Sequence, residues 1–244
     1  MEHLLEICAT NLQSALAAQR AGAHRIELCC AIDGGGLTPS PGLIRQVREQ
    51  LHIPVNVLIR PREGNFCYTD AELAIMTDDI RFCREAGADG VVIGALDERG
   101  KLHRAHMLAM LDAAAGLDVT CHRAFDYTAD PFEALETLIG LGIGRVLSSG
   151  QAASAWAGRF LLGKLVEKAV GRIHIMPGAG LTAQNIRAVA EATGAREFHL
   201  TGRAKIVQPN PGGEIPGLEW WYWESAEANI REALEALKTK GLPD

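Results

Sequence analysis

The chain has 244 residues, 48% of them hydrophobic, with a formal net charge of −6 spread along its length, so it has material for one large core but no basic stripe for a polyanion backbone. Nucleic acid is thereby set aside as a partner. No apolar run approaches the roughly 18 residues of a membrane span, and the amino terminus carries Glu2 and Glu6 where a secretory leader would be cationic and then apolar, so the expectation is a soluble, cytoplasmic protein with no membrane partner.

Short apolar runs alternate along the chain with longer amphipathic stretches, which is the pattern of βα units. A strand predicted at Leu4–Cys8 leads to a helix near Leu12–Ala21, one at Arg25–Cys29 to Pro41–Leu51, and one at Val55–Arg60 to Ala71–Ala86. Gly90–Gly94 then leads to His103–Ala115, Asp118–Arg123 to Pro131–Leu141, and Arg145–Ser148 to Ala153–Ala169. Arg172–Met176 leads to Ala183–Ala192, and Arg196–Leu200 passes through an irregular segment to a last helix near Ala226–Lys238.

An internal repeat supports eight such units. The turns Ala21-Gly22-Ala23, Ala86-Gly87-Ala88, Leu141-Gly142-Ile143 and Thr193-Gly194-Ala195 each feed an even-numbered strand, and their glycines lie 65, 55 and 52 residues apart. Glycine at a helix C-terminus supplies the left-handed residue that turns the chain into the next strand. Eight parallel strands with one helix each close most simply as an α/β TIM barrel of the (β/α)8 type, for which about 250 residues is typical. No GxGxxG opens the chain as a dinucleotide-binding sheet would require. The whole of 1–244 is thus expected to be a single domain. Its one irregularity is an insertion at 203–225, where the Pro- and Gly-rich Pro209–Gly217 is followed by Trp220-Trp221-Tyr222-Trp223; these aromatics are expected to act as a lid or as an oligomer contact.

Side chains on a strand alternate faces. With Leu5, Ile7, Ile26 and Leu28 toward the helices, Glu6, Cys8, Glu27 and Cys29 face the barrel interior. The same alternation turns Arg60 inward against Val57 and Ile59, sets Thr120 and His122 opposite Val119 and Cys121, and brings in Met176, His199 and Thr201 from the last two strands. Barrel interiors are normally filled with branched aliphatics, so buried charges here must pair with one another, as a structural plug, or with a ligand. Because each is the last inward residue of its strand, or nearly so, Glu6, Glu27, Arg60 and His122 are expected to converge at one end of the barrel, with Arg123 and Asp126 just beyond His122.

Two chemistries fit. The first is soft-metal binding: Cys8 and Cys29 put one inward thiol at the carboxyl end of each of two adjacent strands, about 5 Å apart laterally, which with Met176 nearby suits Cu(I). Six cysteines with no CxxC pair exclude zinc-finger chemistry and leave reduced thiols as the default, and the alternative is that these thiols behave as small hydrophobes. The second is catalysis on a small anion, with Glu6 or Glu27 and His122 as acid and base, assisted by Asp126, and Arg60 and Arg62 as the anion clamp. Gly178-Ala179-Gly180 after the seventh strand, and His199, Thr201 and Gly202-Arg203 at the eighth, lie where many barrels hold phosphate on backbone amides. For His122 and Asp126 the plainer alternative is a hydrogen-bonded core histidine beside an Arg123–Asp126 pair that ties down a loop.

The segments LEIC, RIELC followed by GGGLTPS (Gly34–Ser40), IRPREGNFCYTD (Ile59–Asp70), HRAFD (His122–Asp126), RVLSSG (Arg145–Gly150) and MPGAG (Met176–Gly180) resemble the CutC family over residues 1–202. That resemblance implies a TIM barrel, a cytoplasmic homo-oligomer (dimer or tetramer) and a role in copper homeostasis. It further implies Cu(I) on Cys8 and Cys29, and a polar mouth of Glu6, Glu27, Arg60, Arg62, His122 and Asp126. The chain departs from the family pattern at Cys121, where an aromatic residue is usual, and after Gly202.

Overall fold

In the computed structural model, which describes residues 3–209, 212–213 and 220–238, the eight apolar runs form eight parallel strands. These are β1 (Leu4–Ala9), β2 (Arg25–Leu28), β3 (Val55–Leu58), β4 (Gly90–Ile93), β5 (Asp118–Cys121), β6 (Arg145–Ser148), β7 (His174–Pro177) and β8 (Glu197–Leu200). Between them run α1 (Leu12–Ala21), α2 (Pro41–Gln50), α3 (Asp70–Glu85), α4 (Arg104–Ala113), α5 (Pro131–Gly140), α6 (Arg159–Ala169) and α7 (Ile186–Thr193), and α8 (Glu227–Lys238) follows. The sheet order is β7-β6-β5-β4-β3-β2-β1-β8. Strand β7 lies against β8, although no ladder joins them among the described residues, so the sheet wraps into a nearly closed TIM barrel.

Local signals in the sequence account for these boundaries. Asn11, Ser40 and Asp130 each cap a helix by accepting from its first-turn amides, and Thr69 with Glu72 forms a reciprocal capping box on α3. The four repeated glycines Gly22, Gly87, Gly142 and Gly194 all adopt left-handed φ, between 69° and 90°, where a Cβ would be strained. Leu5, Ile7, Ile26, Leu28, Val57 and Ile59 are fully buried in the main core cluster, each contributing about 1.5–3 kcal/mol relative to exposure. No helix among the described residues is long and apolar enough to cross a membrane.

Three departures from expectation have a clear local cause. Helix α6 begins at Arg159 rather than Ala153, because residues 151–158 form a loop in which Ala155 N–H donates to Ala179 O (3.0 Å) and Gly158 packs its backbone on that of Ser149 and Gly150. Strand β7 begins at His174 because Val170 and Gly171 are both left-handed and Arg172 N–H still bonds back to Ala169 O. Part of the irregular segment is ordered as an antiparallel pair, β9 (Arg203–Val207) with β10 (Trp221–Ser225), in which Arg203 lies 4.2 Å over the Trp223 ring and Lys205 4.1 Å over Trp221. Residues 210–211 and 214–219 of the expected insertion lie outside the described residues.

The lower half of the barrel interior is ionic. Arg25 donates to Glu6 Oε2 (2.5 Å), Glu197 Oε2 (2.6 Å) and Met176 Sδ (3.2 Å). Arg145 donates to Glu197 Oε2 (2.5 Å), Asp118 Oδ2 (2.7 Å) and Thr120 Oγ1 (3.1 Å), and His174 Nδ1 lies 3.4 Å from Glu197 Oε1. Buried charges persist only when paired and hydrogen-bonded, and this chain of alternating sign satisfies both conditions. Burial alone would raise the Glu6 carboxyl, but Arg25 and the His199 hydrogen bond outweigh it and hold it down at about 2; Glu197 is likewise lowered, burial being overcome by Arg25 and Arg145.

Carboxyls depressed in the folded state contribute stability that is complete above their unfolded value and is lost as pH falls through the folded one. Urea-unfolding free energy is therefore expected to decline from about pH 4.5 toward pH 2, and Glu6→Gln to show a shallower decline; equal slopes in the two proteins would contradict this account.

Candidate functional site

Inward residues at the carboxyl ends of the strands enclose a cavity of about 680 Å³. Cys8 from β1, Glu27 from β2, Arg60 after β3, His122 after β5 and His199 from β8 all line it. The turn after β7 and the first residues past β8 complete the wall, with Gly180 and Thr201 among them.

The β1–β2 corner holds the thiols. Register pairs Cys8 with Glu27, and Cys8 Sγ lies 3.4 Å from Cys29 Sγ. Cys29 is fully buried behind it, packed with Leu58 and Val92 and closed over by Gly36. Its hydrogen bond to Cys29, reinforced by burial, raises the Cys8 thiol well above the ordinary range. All six cysteines are free.

Across this corner, ligand atoms of Cys8, Glu27 and His199 lie within 4.8 Å of one another. His199 donates from Nδ1 to Glu6 Oε1 (2.8 Å), which leaves Nε2 facing the cavity, 3.9 Å from Glu27 Oε1. Burial opposes protonation of His199, yet Glu27 and Glu6 prevail and its pKa is raised. Glu27 is pushed up to about 7, chiefly by burial and against the pull of His199, and its Oε2 has no hydrogen-bond partner.

On the opposite wall His122 accepts Ala124 N–H at Nδ1 (3.1 Å), so the neutral ring carries its proton on Nε2. That nitrogen is buried without a partner. Burial, with Arg60 nearby, drives the ring down to about 3, so it is neutral at physiological pH. Gly94 makes room for it: a Cβ there would stand 2.6 Å from His122 Cε1 and 2.7 Å from Nδ1. Phe66 packs on both His122 (centroids 5.1 Å apart) and the Arg60 guanidinium (5.1 Å to the ring). Arg60 itself donates to the carbonyls of Gly34 (2.8 Å), Gly36 (2.9 Å) and Gly64 (3.0 Å).

Several residues expected at the mouth stand elsewhere. Glu6 does not reach the cavity wall; it sits one inward step below Cys8, between Arg25 and His199. Met176 belongs to the ionic floor, not to the thiols. Arg62 lies outside the cavity, paired with Glu72 and with loop carbonyls. Asp126 is occupied by Arg123, Ser148, Ser149 and the Gln151 amide, so it anchors the loop after β6 rather than facing a ligand. The Gly178 amide donates to Ser148 O (3.0 Å) and is likewise committed. Conversely, the sequence reading passed over Arg25, Arg145 and Glu197, although each lies two residues before an inward position and the same alternation points to them. For Phe66 and Gly94 no such pattern exists.

Compared with known proteins, the chain matches the sequence model of the CutC family over residues 3–204. It is 48% identical over 236 residues to a family protein CutC of Xanthomonas axonopodis pv. citri, covering 96% of this chain and 98% of that one. It is 46% identical over 201 residues to the human copper homeostasis protein cutC homolog, covering 82% of this chain and 74% of the human one. Among solved structures, CutC from Streptococcus agalactiae superposes with a TM-score of 0.79 at 36% identity, covering 82% of this chain and 98% of the other.

The packing of Gly94 generates an expectation independent of any ligand. A methyl group there collides with the His122 ring, so Gly94→Ala is expected to destabilise the fold by roughly 1–3 kcal/mol, as overpacking does, measured by urea unfolding; a neutral result would mean that His122 is free to move aside.

Proposed function

This chain belongs to the CutC family, and we propose on that premise that it binds Cu(I) as cargo at the thiol corner of the cavity, through Cys8 and Cys29 with His199 Nε2 beside them. The observation that carries the reading is the pair of thiols 3.4 Å apart with an imidazole at the same corner. Thiolate and imidazole are the donors Cu(I) prefers, whereas a hard divalent ion would call for more carboxylate than Glu27 alone supplies. Glu6 supports the same reading: it accepts from His199 Nδ1 and so presents Nε2 as the ligand nitrogen, the usual carboxylate–histidine arrangement behind a bound metal. In this reading Glu6 is a positioning residue. Arg25, holding the other oxygen of Glu6, fixes that carboxylate in turn.

Under reducing conditions, competition titration with a chromogenic Cu(I) chelator is expected to give roughly one Cu(I) per chain, since the two thiols form one soft site. Binding should be lost in Cys8→Ser and strongly weakened in Cys29→Ser. A double variant that titrates like wild type would reduce both cysteines to core residues.

The same reading places the protein in the cytoplasm as a homo-oligomer, dimer or tetramer, with the aromatic surface of β10 as the contact. Trp220 and Tyr222 are exposed there, and exposed aromatic clusters usually cover something. Sedimentation equilibrium at micromolar concentration is expected to return a multiple of the 26.2 kDa chain mass; a monomer would end this part of the reading.

A further inference from the structure

The thiol corner uses one side of the cavity. The whole space, about 680 Å³, is far larger than a single ion needs and falls within the roughly 300–1,000 Å³ of small-molecule sites. The opposite wall has a chemistry of its own. Six buried side-chain polar atoms among the described residues lack a hydrogen-bond partner, and three of them, Arg60 Nε, His122 Nε2 and Glu27 Oε2, belong to residues lining this one cavity. Buried polar atoms are nearly always partnered, so three orphans around one space mark the place of a group that supplies partners.

Their chemistry specifies that group. Arg60 Nε and His122 Nε2 are both donors, the latter because Nδ1 already accepts from Ala124. Arg60 also carries a charge that nothing neutralises: at 6% exposure it bonds three carbonyls and, among the described residues, no carboxylate. The other arginines at the cavity are already paired, Arg123 with Asp126 and Arg203 with Asp33. An uncompensated buried cation is costly, and an anion brought by a ligand would remove that cost. Phe66, in contact with both Arg60 and His122, holds the two donors on one wall, while Glu27 offers an acceptor from β2.

We infer that the cavity binds a small hydroxylated organic oxyanion, whose carboxylate or phosphate accepts from Arg60 and His122 while one of its hydroxyls donates to Glu27. This site shares only Glu27 with the thiol corner; Arg60 and His122, which hold the anion, stand apart from the Cys8, Glu27 and His199 cluster.

The test uses the full-length, copper-free protein and three probes: gluconate for a carboxylate source, glucose 6-phosphate for a phosphate source, and sorbitol as the uncharged polyol. One of the two anions is expected to raise Tm at millimolar concentration, since a ligand that binds only the folded state stabilises it, and sorbitol is not. His122→Gln and Arg60→Lys should each weaken binding of that anion about tenfold or more by calorimetry, the scale of a lost charge-assisted hydrogen bond. Unchanged far-UV circular dichroism checks the fold, and if Arg60→Lys misfolds, His122→Gln decides. The inference is overturned if neither anion shifts the Tm of wild type, if sorbitol acts as well as the anions, or if His122→Gln binds like wild type. As copper is absent throughout, failure of either reading leaves the other standing.

Discussion

Arg25 holds Glu6 and Glu197 at the same time, and much of the upper half of the barrel depends on that grip. Glu6 can remain ionised in a dry interior because Arg25 faces one of its oxygens. Being ionised, it accepts from His199 Nδ1 with the other, and this fixes which nitrogen of His199 looks into the cavity. A charge at the middle of the barrel thus sets the orientation of a ring at its mouth. Replacing the floor with aliphatics would satisfy packing as well or better, but His199 would lose its orienting partner.

The two walls of the cavity are prepared in opposite ways. On the side of β1, β2 and β8, titratable groups crowd together: burial pushes Glu27 up to about 7 against the pull of His199, while His199 is raised because Glu27 and Glu6 overcome its own burial. On the side of β3 and β5 the groups are kept apart from other charges, and burial with Arg60 nearby keeps His122 neutral. Perturbed groups of both kinds in one cavity are what a binding or reacting site shows. The loops contribute by consuming their own charges. Arg62 and Asp126 are both drawn into loop hydrogen bonds, and neither lines the cavity.

How far this was legible in the sequence follows from which interactions are local. Strand alternation is local, so the inward turn of Glu6, Cys8, Glu27 and His122 could be read directly, and helix positions followed from the amphipathic stretches between the strands. Partner choice is not local. Asp126 looked like a mouth residue because nothing near it reveals that Ser148 and Ser149 would take its oxygens. Glu6 looked like a rim residue because barrel stagger, which sets it level with Arg25 and His199, is a property of the closed sheet and not of any one strand. The β9–β10 pairing was missed for a related reason: Arg203–Val207 and Trp221–Ser225 are separated in the sequence by a long Pro- and Gly-rich stretch, far beyond the roughly two to five residues of the usual hairpin signal.

The barrel also has a seam. Neighbouring strands are laced by backbone ladders from β7 round to β8, but between β7 and β8 themselves, among the described residues, the hydrogen-bonded and charged links are side chains, His174 to Glu197 directly and Arg145 reaching over from β6. Peptide ladders resist shear through many parallel bonds, whereas at this closure strand packing and a few side-chain contacts stand in their place. Among the described residues the seam is thus the one place around the ring where neighbouring strands share no ladder, and Gly178 meets His199 along it. Slow breathing of the barrel would widen the cavity along that line first and leave the thiol corner between β1 and β2, laced by its ladder, at its resting dimensions.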